Sequence, residues 1–150
     1  MSDTSLPVAE DEPIPGIYFK DRLLLRPNVI ISSAASRGGV TTARDMMRFI
    51  KAFFNGILFS PKTFKYLTTY RRLQTSMGPI RYGGGHMRIP LCSVCTLFLG
   101  KGELLGHSGT TGSFAFYYPQ KDLYFTGDVN QMADPSLPIR LLINLAVRST

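Results

Sequence analysis

The sequence predicts an α+β fold, an antiparallel sheet with flanking helices. Three observations carry this prediction. Helical periodicity appears in two segments near the middle of the chain and in one at its end. Between them, residues 82–128 read as short apolar and aromatic runs separated by Gly, Pro and Lys-Asp turn signals. The connection Pro119-Gln120-Lys121-Asp122 has hairpin length, so its flanking runs are expected to be antiparallel neighbours.

The elements follow in chain order. Residues 1–38 read as an extended lead-in and loop segment, and residues 39–150 as one α+β domain. Residues 1–16 are polar and carry Pro7, Pro13 and Pro15, a composition without a core of its own. Leu23-Leu24-Leu25 and Val29-Ile30-Ile31 are short apolar runs that suit either strands or packed loop. A helix is expected from about Thr42 to Asn55. Thr42 and Asp45 have capping-box spacing, and Met46, Phe49, Ile50, Phe53 and Phe54 make one apolar face before Gly56 ends the helix. A shorter helix starts with Ser60 as cap and Pro61 in its first turn, and turns Phe64 and Leu67 inward. Strands are expected at Tyr82–Ile89, Cys92–Leu99, Glu103–His107, Ser113–Tyr118 and Leu123–Asp128. A last helix follows Pro138, from Ile139 to about Arg148, with Leu141, Leu142, Leu145 and Ala146 inward. No internal repeat is found.

Composition narrows the function classes. The chain has 150 residues, 44% of them hydrophobic and 11% aromatic. A domain of this size buries roughly 68–70% of its unfolded surface, enough for a core. The most apolar stretch, Ile89–Leu99, is interrupted by Pro90, Ser93 and Thr96, so no membrane span is predicted. The start lacks the basic and apolar blocks of a signal peptide, so as written the chain is expected to stay in the cytoplasm. Cys92 and Cys95 form a lone C-x-x-C, too little for a zinc site or a disulfide scaffold, and are expected to be ordinary buried or half-buried thiols. No metal or cofactor is predicted.

The net charge is +7, from 17 Lys and Arg against 10 Asp and Glu. It is unevenly spread. Four acids and no base lie in residues 1–16, and nine bases without an acid lie between Met46 and Gly102. Such a face suits either solvent or an anionic partner. No nucleic-acid motif accompanies it. Gly109-Thr110-Thr111-Gly112 has the G-x-x-G spacing of a backbone-clamping RNA loop, but strand-like runs flank it where that loop needs helices. Gly83-Gly84-Gly85 allows close backbone approach and lacks the Lys-Ser/Thr of a phosphate loop. His107 and Ser108 are neighbours on a strand and so point to opposite faces, which prevents His107 from activating Ser108.

Two segments carry a family resemblance. Gly39-Val40-Thr41-Thr42-Ala43-Arg44-Asp45-Met46, with Arg48-Phe49 and Asn55-Gly56 after it, resembles a characteristic helix of the serine beta-lactamase and penicillin-binding protein superfamily. Gly106-His107-Ser108-Gly109, then Thr111-Gly112 and Tyr117-Tyr118-Pro119, resembles that family's third active-site box and the hairpin after it. The likeness is to the branch of class C beta-lactamases, D,D-peptidases and esterases, and runs from about Gly39 to Leu145. It implies the C-terminal part of a beta-lactamase/transpeptidase-like fold, a bacterial hydrolase, and acyl transfer through a serine nucleophile.

The resemblance also assigns substrate-binding roles. His107 and Ser108 would line the cleft and bind the substrate, chiefly its carboxylate. Gly109 would leave room beside the strand, and the Thr110 N–H would be one oxyanion donor. A basic cleft lining would then account for part of the positive charge. The partner implied is a small-molecule acyl substrate; no nucleic acid is expected.

The family's S-x-x-K and Y-x-N motifs are missing. No Ser has Lys three residues on, and no Tyr has Asn two residues on. Catalytic residues are therefore assigned to none of these positions. The chain is expected to be the C-terminal portion of such a hydrolase, inactive alone, its missing N-terminal half a natural partner. The family's usual extracytoplasmic location conflicts with the absence of an export signal. Strands left open by the missing half are expected to cause self-association by strand exchange. The alternative expectation is a non-catalytic module whose basic face binds an anionic partner.

Overall fold

Thr42 and Ser60 begin the two central helices in the way their sequences predict. A computed structural model describes residues 3–5, 14–24, 39–72, 78–92 and 100–149. Thr42 Oγ1 accepts from the Asp45 N–H at 3.2 Å and opens α1, Ala43–Phe54. Gly56 follows with φ +73°, a left-handed conformation that costs glycine little. Ser60 Oγ accepts from the Thr63 N–H at 3.2 Å and opens α2, Pro61–Leu67.

A five-stranded antiparallel sheet follows: β3 (Arg81–Tyr82), β4 (Met87–Pro90), β5 (Glu103–Ser108), β6 (Ser113–Tyr118) and β7 (Leu123–Asp128). The strands lie side by side in chain order, each antiparallel to the next. The β6–β7 turn is a single 3-10 turn, Pro119–Lys121, closed by Asp122 in the left-handed region at φ 51°. A smaller hairpin of β1 (Ile17–Phe19) and β2 (Arg22–Leu24) resolves the open reading of the first apolar run as strand. It docks beyond the end of β7, where the Tyr18 N–H donates to the Asn130 carbonyl and the Met132 N–H donates to the Tyr18 carbonyl, both at 2.8 Å. The terminal helix α3 runs from Leu137 to Arg148. No helix among the described residues is long and apolar enough to cross a membrane.

The pleat gives the sheet two faces. Met87, Ile89, Leu104, Phe116 and Tyr118 share one face and form the main core with Leu142 and Ala146 of α3. Helix α1 crosses the other face, over β6 and β7, and the Thr126 hydroxyl donates to the Ala43 carbonyl at 3.1 Å. The sheet is therefore flanked by helices on both faces, an α+β arrangement.

Four expectations need correction. Tyr82–Ile89 is two strands, not one, because Gly83–Gly85 turns away from the ladder. The Gly84 N–H donates to the Leu67 carbonyl at 2.8 Å, and a Cβ on Gly83 would collide with that same carbonyl. Helix α3 begins two residues early, at Leu137, and takes Pro138 into its first turn, where a missing N–H costs nothing. It is also rotated. Leu142 and Ala146 are buried, but Leu141 and Leu145 are 39% and 43% exposed, and Ile139 and Ile143 take the inward places beside the core. Cys92 is exposed, not buried, and is a free thiol. The expected strand from Cys92 to Leu99 falls, from residue 93 on, outside the described residues, as do Cys95 and the run 29–31.

Candidate functional site

The space between α1 and the sheet is an open cleft of about 1020 Å³. Its floor is the α1 face formed by Met46, Phe49, Ile50 and Phe53. Sequence periodicity marks this face as core. Only Ile50 is fully buried, however, and Phe49 is 42% exposed. The helix spans the sheet at β6 and β7, so the part of its face over β5 looks into the cleft.

The opposite wall comes from β5 and the turn after it. Alternation along β5 sends Leu104, Gly106 and Ser108 toward the α3 side and His107 toward the α1 side. His107, Gly109 and Thr110 line the cleft and Ser108 does not. The four residues assigned from the resemblance are thus divided, three on the cleft and one facing Phe114, its partner across β6. The His107 side chain makes no hydrogen bond among the described residues. Its nearest aromatic neighbour is the Tyr82 ring, with centroids 6.3 Å apart.

The turn holds its shape through its own backbone. The Gly109 N–H donates to the Ser113 carbonyl at 2.7 Å, and the Gly112 N–H donates to the Gly109 carbonyl at 3.1 Å. Gly112 sits at φ +101°, and a Cβ there would lie 2.7 Å from Val129. The Thr110 N–H at the turn's tip donates to no acceptor among the described residues. The turn joins two strands, which excludes the helix-flanked RNA clamp.

One important residue carries no sequence signal. His86 lies just before β4, beside His107 in the register of β4 and β5, and is 4% exposed. The rings of Phe53 and Phe54 meet it edge-on at 5.5 and 5.3 Å. Its Nε2 is 2.6 Å from the Tyr70 hydroxyl, and its Nδ1 has no hydrogen-bond partner among the described residues. Desolvation pushes the His86 pKa down to about 4, so the ring is neutral at pH 7. Burial, with the Glu103 charge nearby, pushes Tyr70 up to about 12. Tyr70 therefore keeps its proton at pH 7, and the direction of its bond to Nε2 is set by the tautomer of the neutral ring. Tyr70 and His86 are sixteen residues apart in the chain, a separation no local motif would link.

The charge of the cleft corrects a further expectation. No Lys or Arg is among its described lining residues, and the one carboxylate there is Asp128. The positive residues lie elsewhere. Arg81 and Arg88 face each other across β3 and β4, and Arg88 pairs with Glu103. The Arg81 guanidinium donates to the carbonyls of Gly78 and Ile80. The cleft is not basic, because its walls are the apolar face of α1 and a Gly/Thr turn.

Asp45 fixes one end of the cleft. Its carboxylate accepts from the Asp3 N–H at 2.8 Å, the Thr4 hydroxyl at 3.2 Å and Arg48 at 3.0 Å. The Asp3 N–H bond is the main cause that holds its carboxyl below the ordinary value. Ser5 and Val40 exchange two backbone hydrogen bonds alongside. Among the described residues no three His, Cys, Asp or Glu gather as metal ligands. No known protein family, characterised protein or solved structure matches this chain.

Proposed function

We propose that these residues form the substrate-binding portion of a serine beta-lactamase-like hydrolase, its C-terminal part, with the acylating serine and its lysine base outside them. One observation carries the reading. The two segments that resemble the family, Gly39–Met46 and Gly106–Gly112, are 60 residues apart in the chain, yet both line one cleft. Within it, the Thr110 N–H, which donates to no acceptor among the described residues, would serve as an oxyanion donor. His107 stands beside it as a polar group toward the substrate.

The role that follows is binding and orientation of an acyl substrate. Transfer itself needs a nucleophile and a base held within hydrogen-bond reach of each other. The one side-chain contact of His107 among the described residues is with the Tyr82 ring, not with a serine hydroxyl. The 150-residue chain should therefore form no acyl-enzyme. Incubation with a fluorescent penicillin, followed by denaturing electrophoresis, should give no labelled band. A stoichiometric band would overturn the assignment.

A second reading, an anion-binding module, draws on the cations outside the cleft, above all the opposed Arg81 and Arg88. Retention on heparin that falls steeply with salt would favour it over the hydrolase reading.

A further inference from the structure

We propose that the turn between α1 and α2, residues 55–60, together with the outer face of α2, is a contact tip that seats on an anionic lipid surface. This role is independent of the hydrolase reading, since Ile57, Leu58, Lys62, Lys65 and Tyr66 all lie outside the lining of the cleft.

The turn is held so that apolar side chains stay in water. The Phe59 ring meets Phe53 of α1 at 5.5 Å, and Phe64 of α2 meets Phe53 at 5.9 Å and Phe54 at 6.2 Å. These contacts pin the turn and α2 to the end of α1. The Ile57 N–H donates to the Ala52 carbonyl at 3.0 Å, and Ser60 caps α2, so the backbone is fixed as well. Ile57 is nevertheless left 74% exposed and Leu58 43% exposed. On α2, Phe64 faces inward, and helical spacing puts Lys62 and Tyr66 on the opposite side. Tyr66 is 78% exposed, and Lys62 and Lys65 are exposed beside it.

Charge indicates what covers this patch. No Asp or Glu occurs in residues 46–102, so the two lysines have no acid on their own elements. Anionic headgroups complement them, each basic residue near the surface adding about fivefold in affinity. Aliphatic side chains at the tip, lysines that can snorkel and a tyrosine at the boundary match the depth order of an interfacial anchor. Protein interfaces deplete lysine and favour arginine and tryptophan, so the composition favours lipid over a protein partner.

The test uses the full 150-residue chain with vesicles of phosphatidylcholine, alone or mixed with phosphatidylglycerol. Co-sedimentation should show binding at least tenfold stronger to the anionic vesicles. Lys62→Glu with Lys65→Glu should weaken that binding at least tenfold. Lys101→Glu with Lys121→Glu, the same charge change at exposed sites outside the patch, should weaken it less than threefold. The chain has no Trp, so Ile57→Trp supplies a single reporter. Its emission should shift to the blue on anionic vesicles and be quenched by brominated lipid. Ile57→Ser with Leu58→Ser should weaken binding at least tenfold and leave the thermal midpoint unchanged, since both residues are exposed. If that pair fails to fold, the quenching of Ile57→Trp decides.

Equal loss in the two lysine pairs would reduce the binding to net charge and overturn the assignment. Binding without a blue shift or quenching would overturn it by locating the contact elsewhere. A chain that binds neither vesicle would overturn it in favour of a protein partner for the patch. None of these results bears on the cleft, which the penicillin assay judges separately.

Discussion

Acidification should destabilise the fold between pH 6.5 and 4, and His86 should be the cause. The unfolded chain takes up a proton on His86 near its ordinary value of 6.5, whereas the folded chain resists until about 4. Within that window the unfolded state binds more protons, so stability falls as pH falls and levels off below about 4. A drop from 6.5 to about 4 corresponds to about 3.4 kcal/mol at ~1.36 kcal/mol per pH unit. His86 borders an open cleft, and solvent screening there reduces this to about 2 kcal/mol. The carboxylates do not confuse the measurement. Asp45 and Asp134 are held below their ordinary value of 3.8, so their contribution is present above that value and is lost as pH falls further. Urea unfolding at pH 7.0, 6.0, 5.0 and 4.5 measures the effect, with His86→Phe as comparison. Phe suits the aromatic surroundings and does not titrate. Wild type should lose about 2 kcal/mol across the series, and His86→Phe most of that difference less. Parallel loss in both proteins, or a His86 ring that titrates by NMR near 6.5, would refute the reasoning.

Two further substitutions test the packing. Leu142→Ala empties a fully buried site against the sheet and should cost about 2–5 kcal/mol, while Leu145→Ala, on the exposed side of α3, should stay within about 0.5 kcal/mol. Equal costs by chemical denaturation would mean that α3 is rotated from the orientation described. Gly106→Ala places a Cβ against the Ala115 carbonyl and 2.7 Å from the Phe116 Cα, backbone that cannot swing aside in mid-sheet. It should cost about 1–3 kcal/mol, and lower the melting temperature by about 2–12 °C. A melting temperature unchanged within a degree would show that β5 and β6 lie farther apart.

The α+β class, the caps of α1 and α2, and the limits of β6 and β7 were all legible in the residues. Each depends on interactions within a few positions: Thr42 with Asp45, Ser60 with Thr63, and a four-residue turn between two aromatic runs. The strand alternation correctly separated His107 from Ser108. The face of α3 was not. Leu141, Leu142, Leu145 and Ala146 share one apolar arc, and local periodicity cannot say which part of a broad arc meets the sheet. That choice belongs to the core residues Leu104, Phe116 and Tyr118, which α3 must cover.

The sequence by itself determined the caps of α1 and α2, the β6–β7 hairpin and how the charge is distributed along the chain. Only the tertiary structure decided what the cleft contains. It brought Phe53 and Phe54 onto His86, joined Tyr70 to it by a hydrogen bond, and left the Nδ1 without a partner among the described residues. It also kept the described Lys and Arg residues off the lining of the cleft. The physical reason is the same in both cases. Burial and charge at a site depend on which segments approach through space, and a chain's local preferences specify its turns and periods but not which distant residues those turns bring together.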